Sequence, residues 1–581
     1  MKKTALSRWI PALEWMPNYS TSFLKGDMIA GLTVGIMLIP QGMAYAMIAG
    51  MPPIYGLYAS TIPLIIYALL GTSRQLAVGP VAMVSLLTAS GVAALAETGS
   101  EAYIIWAIAL AFLVGLMQVA LGLFRLGFLV TFLSHPVISG FTSAAALIIG
   151  ISQFKHILGV SIPRAEHIYE TVFNLVEKIP ETNIYTLGIG VLSVVLMVVL
   201  RRINKSFPGA LVVVLLGVLA VYAFGLDNSG VKIIGDIPAG FPSVTLEGVS
   251  WDKWLTLLPL AATISLVSFM ESISVAKAIQ AKHRNYHVDA NKELIALGAA
   301  NIGGSLFQGF PVTGGFSRTA VNDQAGAKTG MASLISAVLI ILTLLFLTPL
   351  FYYLPNAVLG AIIVVAVAGL FDYKEAIHLW KVDKQDFIML AVTFVSTLLL
   401  GIELGIALGV GLSLAAVIYQ TTRPHMAELG RIPGRSFYKN IDRFPELEVR
   451  DDILIVRFDA RLYFANSPYF KEKMEDLIDS KGDKLRLVVL DADSINGMDS
   501  TGVLAVEELV RYCRNKNVSF AFVGAKGPVR DTLFRSGLLD IIGQEQCYML
   551  IEDAVKAHDE KDGEKEGKAS RYSLQTNELK N

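Results

Sequence analysis

The sequence predicts an α-helical membrane protein with about fourteen transmembrane segments in two inverted seven-span repeats, followed by a small α/β domain. Three observations carry this expectation. The 581-residue chain is 54% hydrophobic and only 17% charged, against about 25% charged in soluble domains. Its apolar residues lie between Asp27 and about Thr421, in blocks of roughly 20, the length that crosses a bilayer core. Two blocks are interrupted at corresponding places: GTSRQLAVGPVAMVSLLTAS around Pro80, and NIGGSLFQGFPVTGGFSRTAVN around Pro311. Proline has no amide donor and glycine weakens a helix, so neither block runs as one continuous span. One broken segment in each half points to a substrate site near the midplane, between two structural repeats.

Residues 1–24 read as an N-terminal cytoplasmic segment without a cleavable leader pattern, with Trp9, Trp15 and Tyr19 suited to a membrane interface. Residues 25–422 form the transport domain, with repeats at about 27–226 and 251–421. Basic residues recur in alternate connections: Lys25, Arg74, Arg125, then Arg201, Arg202 and Lys205. The second half continues with Lys277, Lys282 and Arg284, Lys328, Lys381 with Lys384, and Arg423 with Arg431. The opposite loops, such as Glu97–Glu101 and Asp227–Asp252, are acidic or mixed. By the positive-inside rule this places both termini in the cytoplasm, as an even span count requires. The offset from Pro80 to Pro311 is 231 residues, and it carries Met28–Met47 onto Pro259–Ala278, the eighth apolar block. Seven spans per repeat is odd, so the second copy enters the membrane in the opposite sense. Beyond it come a polar linker at 423–434, a soluble domain at 435–555 and a tail at 556–581 whose composition predicts disorder. Cys513 and Cys547 both lie in the soluble part, and nothing there suggests a disulfide framework.

Each broken segment is expected to hold a short extended piece followed by a half-helix, starting near Pro80 and near Gly315. Helix N-termini carry partial positive charge and free N–H donors, so two of them facing across the midplane make an anion site. Arg318 falls in the first turn of the second half-helix and adds a full charge; Ser317 adds a hydroxyl. An arginine at that depth faces a cavity or a partner, and a structural ion pair is the competing reading. Glu271 is the other deep charge, in LAATISLVSFMESISVAKAIQ; such a carboxylate serves a proton relay or pairs with a base, unless it sits at a helix end near Lys277. Glu403 falls at the turn between the last two spans and reads as a loop or interface group. In span one, Gln41 and Tyr45 follow Pro40 and suit either a cavity lining or a tie between helices. His135 and His156 have no metal-ligand spacing around them, and HExxH, Walker A and GxSxG strings are missing, so no metal, cofactor or enzymatic activity is expected.

The strings PQGMAYAMIAGMPPIYGLYAS, GTSRQLAVGP and PVTGGFSRTAVN resemble the sulfate permease (SulP) family of anion transporters, and the likeness runs from about Lys25 to Glu552. The resemblance implies a core domain and a gate domain, with the anion held between spans three and ten. It places Gln41, Tyr45, Pro80, Val81, Ser317 and Arg318 around the substrate, and matches Glu271 to the acid of proton-coupled members. Gly315 departs from members with a polar residue there, so no side-chain contact is assigned to it. The soluble part resembles the STAS domain, the fold of bacterial anti-sigma factor antagonists. Its MDSTG string matches the stretch where antagonists are phosphorylated, at Ser500 or Thr501; a plain helix N-cap is the competing reading.

The expectation is a secondary transporter in the cell (inner) membrane that imports an inorganic anion, sulfate first, with H+ as coupling ion. It works by alternating access, as a homodimer among membrane lipid, with cytosolic partners reached through the STAS domain and no nucleic acid. A sodium- or proton-coupled bicarbonate or dicarboxylate symporter, an anion exchanger, and a membrane-anchored STAS scaffold are the alternatives.

Overall fold

A computed structural model describes residues 10–128, 134–162, 167–203, 208–238, 240–244, 251–284 and 286–562. Trp9, Lys205 and the tail from residue 563 lie outside them. The chain divides into two compact units, meeting in sequence at Ser413 and Leu414.

The first unit is helical. Spans one to seven are Thr21–Ile48, Ile54–Leu70, Ala82–Val92, Glu101–Leu123, His135–Leu158, Ile184–Ile203 and Gly209–Phe224. Spans eight to thirteen are Trp251–His283, Ala290–Leu306, Phe316–Gln324, Met331–Phe351, Asn356–Ala368 and Lys384–Leu400. Span fourteen, Ile402–Thr422, crosses into the second unit. Two surface helices were not anticipated: Ile168–Glu177 between spans five and six, and Tyr373–Val382 between twelve and thirteen. They occupy equivalent places in the two repeats. Both leave large apolar side chains uncovered, Phe173 and Val176 on one, Ile377 and Trp380 on the other, as helices lying in a membrane interface do. The repeat offset needs correcting. The half-helices begin at Ala82 and Phe316, 234 residues apart rather than 231, so Pro80 corresponds to Gly314 and not to Pro311.

Lipid tails are as apolar as leucine, so close packing rather than water exclusion holds membrane helices together, and small residues permit it. Spans four and nine cross at Gly115 and Gly298, where a Cβ on either glycine would stand 2.6 Å from the other's carbonyl oxygen. Spans one to four interleave with eight to eleven in one bundle. Five to seven pack with twelve to fourteen in a second, Gly140 lying against the Leu390 backbone and Gly409 against Val137 and Thr393. These are the core and gate.

The second unit holds a six-stranded sheet. With β1 (Val78–Gly79) and β2 (Thr313–Gly314) in the membrane unit, its strands are β3 (Met426–Arg431), β4 (Tyr438–Asn440), β5 (Ile453–Phe458), β6 (Leu487–Asp491), β7 (Ser519–Val523) and β8 (Cys547–Tyr548). They lie in the order β4-β3-β5-β6-β7-β8, parallel from β5 to β8 and antiparallel at β3. Alternate residues face opposite sides. Leu454, Val456, Val488, Leu490, Phe520 and Phe522 pack under the helices that include Ser467–Lys481 and Ser500–Asn515. Ile453, Ile455, Leu487, Val489 and Ala521 meet Ala554 and Val555 of the last helix, Ile551–Asp562. Two boundaries change. The supposed linker at 423–434 contains β3, hydrogen-bonded on both sides. The supposed tail from 556 is helical as far as Asp562. Cys513 and Cys547 are both free and buried, and burial raises their thiols to about 12 and about 11.

Candidate functional site

The two broken segments meet. β1 pairs antiparallel with β2, Val78 opposite Gly314 and Gly79 opposite Thr313. Where water is excluded every backbone polar group needs a partner, and this two-residue ladder supplies some of them. Side chains from neighbouring helices supply more. Asn301 of span nine receives the Val312 N–H at 2.8 Å and donates to the Val312 carbonyl at 3.1 Å. Its amide also reaches Gln118 of span four, which in turn donates to Ser268 of span eight. Thr319 accepts the Ala77 N–H at 3.0 Å, and Asn322 donates to the Gln75 carbonyl at 2.8 Å. The unwound backbone is thereby fixed.

From this ladder two half-helices depart, capped by no side chain: span three after Val81 and span ten after Gly315. Among the described residues their first-turn amides donate to no backbone group outside their own helices and caps. Arg318 lies three residues into span ten and is only 2% exposed. Its Nη1 donates to the Pro80 carbonyl oxygen at 2.5 Å, whereas Nε and Nη2 have no partner among the described residues. Those two nitrogens form one edge of the guanidinium, the edge that grips two oxygens of a carboxylate or similar oxyanion. Gly79 and Gly315 flank the group; a Cβ on either would stand 3.4 or 3.1 Å from Nη2.

Glu271, on span eight, is 9% exposed, and its Oε2 has no hydrogen-bond partner among the described residues. It makes no ion pair with Arg318 within 4 Å, yet Glu271, Arg318 and Tyr45 act electrostatically on one another. Leu38, Gln41 and Tyr45 share a face of span one by helical spacing. Leu38 lies against Gly79, and the buried Gln41 Oε1 has no hydrogen-bond partner among the described residues. Val81 is buried at the start of span three; Ser317 is exposed beside Arg318. Val81, Ser317 and Arg318 thus stand at the two half-helix starts, with Tyr45 of span one and Glu271 of span eight in electrostatic reach of the arginine. Glu403 is at the start of span fourteen; its side chain lies outside the described set.

Several supporting residues escaped the sequence reading. Asp27 and Glu293 are fully buried carboxylates, each taking four donors. Asp27 binds Tyr19 and the Lys328–Thr329 turn; Glu293 binds Tyr67, Thr72 and Ser73. A lone acid at a helix end gives no sequence signal that it is buried. Asn301, Thr319 and Asn322 look like ordinary polar residues of apolar helices, and only the clue that intramembrane polar groups find partners pointed at them. In the second unit Ser500 and Thr501 are exposed at a helix N-terminus capped by Asp499, whose carboxylate accepts from the Gly502 N–H at 2.8 Å.

A membrane anion transporter is the class this arrangement points to, and comparison with known proteins agrees. Residues 24–393 match the sulfate permease family and residues 444–554 the STAS domain. The chain is similar to sulfate transporter 4.1, chloroplastic, of Arabidopsis thaliana, 42% identical over 96% of this chain and 84% of that one. High affinity sulfate transporter 2 of Stylosanthes hamata is 35% identical over 94% and 86%. Among solved structures, the murine solute carrier 26 family member A9 anion transporter in its inward-facing state superposes with a TM-score of 0.89, 28% identity and 96% of both chains covered. The transmembrane domain of the cyanobacterial bicarbonate transporter BicA shares the fold, at TM-score 0.58 and 24% identity over 68% of this chain and 98% of that one. The chain belongs to the sulfate permease family: a multi-pass membrane anion transporter, not an enzyme.

Proposed function

We propose that this protein imports a divalent oxyanion, sulfate first, together with protons. The observation that carries the reading is the free Nε–Nη2 edge of buried Arg318, set between two uncapped half-helix N-termini and in electrostatic reach of Glu271. The names of the plant relatives favour sulfate among oxyanions. Gln41 and Tyr45 close the site from span one, the Pro80 carbonyl steadies the arginine, and Val81, Ser317 and the half-helix amides meet the anion. Glu271 is the coupling acid. Ionised, it offsets Arg318; protonated, it leaves the arginine's charge free for the anion, so proton and anion bind together. Neither step needs a bound metal or organic cofactor.

The cell membrane is the proposed location, and the alternation of basic loops favours both termini in the cytoplasm. The protein works as a homodimer, and its STAS domain recruits cytosolic partners. A phosphate on Ser500 or Thr501 would sit at a helix N-terminus, where negative charge is favoured, so regulation there is compatible with the fold. Radiolabelled sulfate uptake into proteoliposomes, with proton and sodium gradients imposed separately, tests the reading. Accumulation driven by an inward proton gradient alone is expected; accumulation that needs sodium, or none with either gradient, contradicts it.

A further inference from the structure

Ser272 follows Glu271 on span eight and is fully buried. A helical serine commonly turns its hydroxyl back onto the carbonyl four residues earlier, as Ser274 does to Met270 at 2.7 Å. Ser272 does not. The carbonyl in question, that of Ser268, instead accepts the hydroxyl of Thr313 on β2 at 2.6 Å. Thr313 has then spent its one hydroxyl proton, so the Ser272 hydroxyl donates to Thr313 Oγ1 at 2.7 Å. Ser272 Oγ also accepts the N–H of Gly314 at 2.8 Å. Three hydrogen bonds therefore join span eight, one residue from Glu271, to the strand that leads within four residues to Arg318.

We propose that Ser272 is a positioning residue for coupling: its hydroxyl, with that of Thr313, fixes the separation of Glu271 from Arg318. This rests on the reading of Glu271 as the coupling acid. The separation matters because no direct ion pair holds the two charges together, so their interaction depends on how the two elements are tied. The groups acting on Glu271 are Arg318 from span ten and Tyr45 from span one. The helix of span three carries no ionisable side chain. Loosening the tie lets the carboxylate drift from the arginine, which opposes its protonation, without removing either group.

The test is sulfate uptake across a pH series in proteoliposomes, for the parent, Ser272→Ala and Ser272→Thr. Ser272→Ala is expected to move the pH midpoint of uptake in the alkaline direction by about half a unit or more, the scale on which a weakened charge contact reads. It should also lower the accumulation ratio severalfold while sulfate exchange persists. Ser272→Thr keeps the hydroxyl and should restore the parental midpoint. A parental midpoint and accumulation ratio in Ser272→Ala overturn the proposal, as does a shift that Ser272→Thr fails to reverse. Should Ser272→Ala fail to fold, Thr313→Ser and Thr313→Val replace it, with the same midpoint shift expected of the valine variant alone. Glu271→Gln, run in parallel, separates the two ideas. If it leaves proton-driven accumulation intact, the coupling assignment itself is wrong; if it abolishes accumulation while Ser272→Ala changes nothing, only the positioning role is.

Discussion

Spans three and ten use one backbone device for two different jobs. Each is a two-residue strand followed by an uncapped half-helix. In span three the half-helix, AMVSLLTASGV, carries no charge, and the turn before it gives Arg318 the backbone carbonyl of Pro80. In span ten the half-helix, FSRTAVNDQ, is mostly polar. Arg318 supplies the charge, Thr319 and Asn322 hold the opposite segment, and Asp323 is bound by Lys282 and His283 from span eight. Of this pair, span three supplies backbone and span ten supplies side chains as well. Inverted repeats thus need not share the chemistry of a site equally.

That division can be broken or sharpened. The largest effect is expected from Glu271→Gln, which removes the titrating group: proton-driven sulfate accumulation should vanish while counterflow exchange survives, and accumulation at the parental level sinks the assignment. Thr319→Val keeps the shape but leaves the Ala77 N–H unpaired, a loss of about 1–3 kcal/mol for a buried donor. A melting temperature several degrees lower, read on detergent-solubilised protein, is the expected outcome, and an unchanged one denies Thr319 its clamping role. Pro80→Ala removes a side chain whose carbonyl is what the site uses, so sulfate affinity should change by less than about threefold, within the scatter of near-neutral substitutions. A change as large as that of an arginine variant would mean that span three contributes more than backbone.

Much of this was legible in the sequence, for reasons that can be stated. Proline and glycine inside apolar blocks exposed the broken helices, and Arg318 and Glu271 stood out because charge is expensive at that depth. The pairing of β1 with β2 was not legible: two strands of two residues, lying in segments more than 230 residues apart, carry no periodicity. The burial of Asp27 and Glu293 was not legible because most of the donors that satisfy them come from distant turns. β3 hid for another reason. Its sequence MAELGR fully buries just Ala427, Leu429 and Gly430, too few apolar residues to mark a strand. The error has a consequence for the soluble unit. A fragment of residues 424–562 should be soluble and melt cooperatively, whereas one starting at Arg435 lacks β3 and leaves the edge of β5 open to other chains. Size-exclusion chromatography should show the shorter fragment aggregating; equal behaviour of the two would mean that β3 is dispensable.

The division of labour stands or falls on Arg318. Its free edge is held to grip the anion, so equilibrium binding of radiolabelled sulfate to purified protein, measured for the parent and for Arg318→Ala, tests it most directly. The expected result is a loss of about 1.5–3 kcal/mol, roughly 10- to 150-fold in Kd, the range for hydrogen bonds to a charged group. Arg318→Lys should recover only part of the affinity, because lysine keeps the charge and loses the fork. Parental sulfate affinity in folded Arg318→Ala protein would contradict the placement of the anion between spans three and ten.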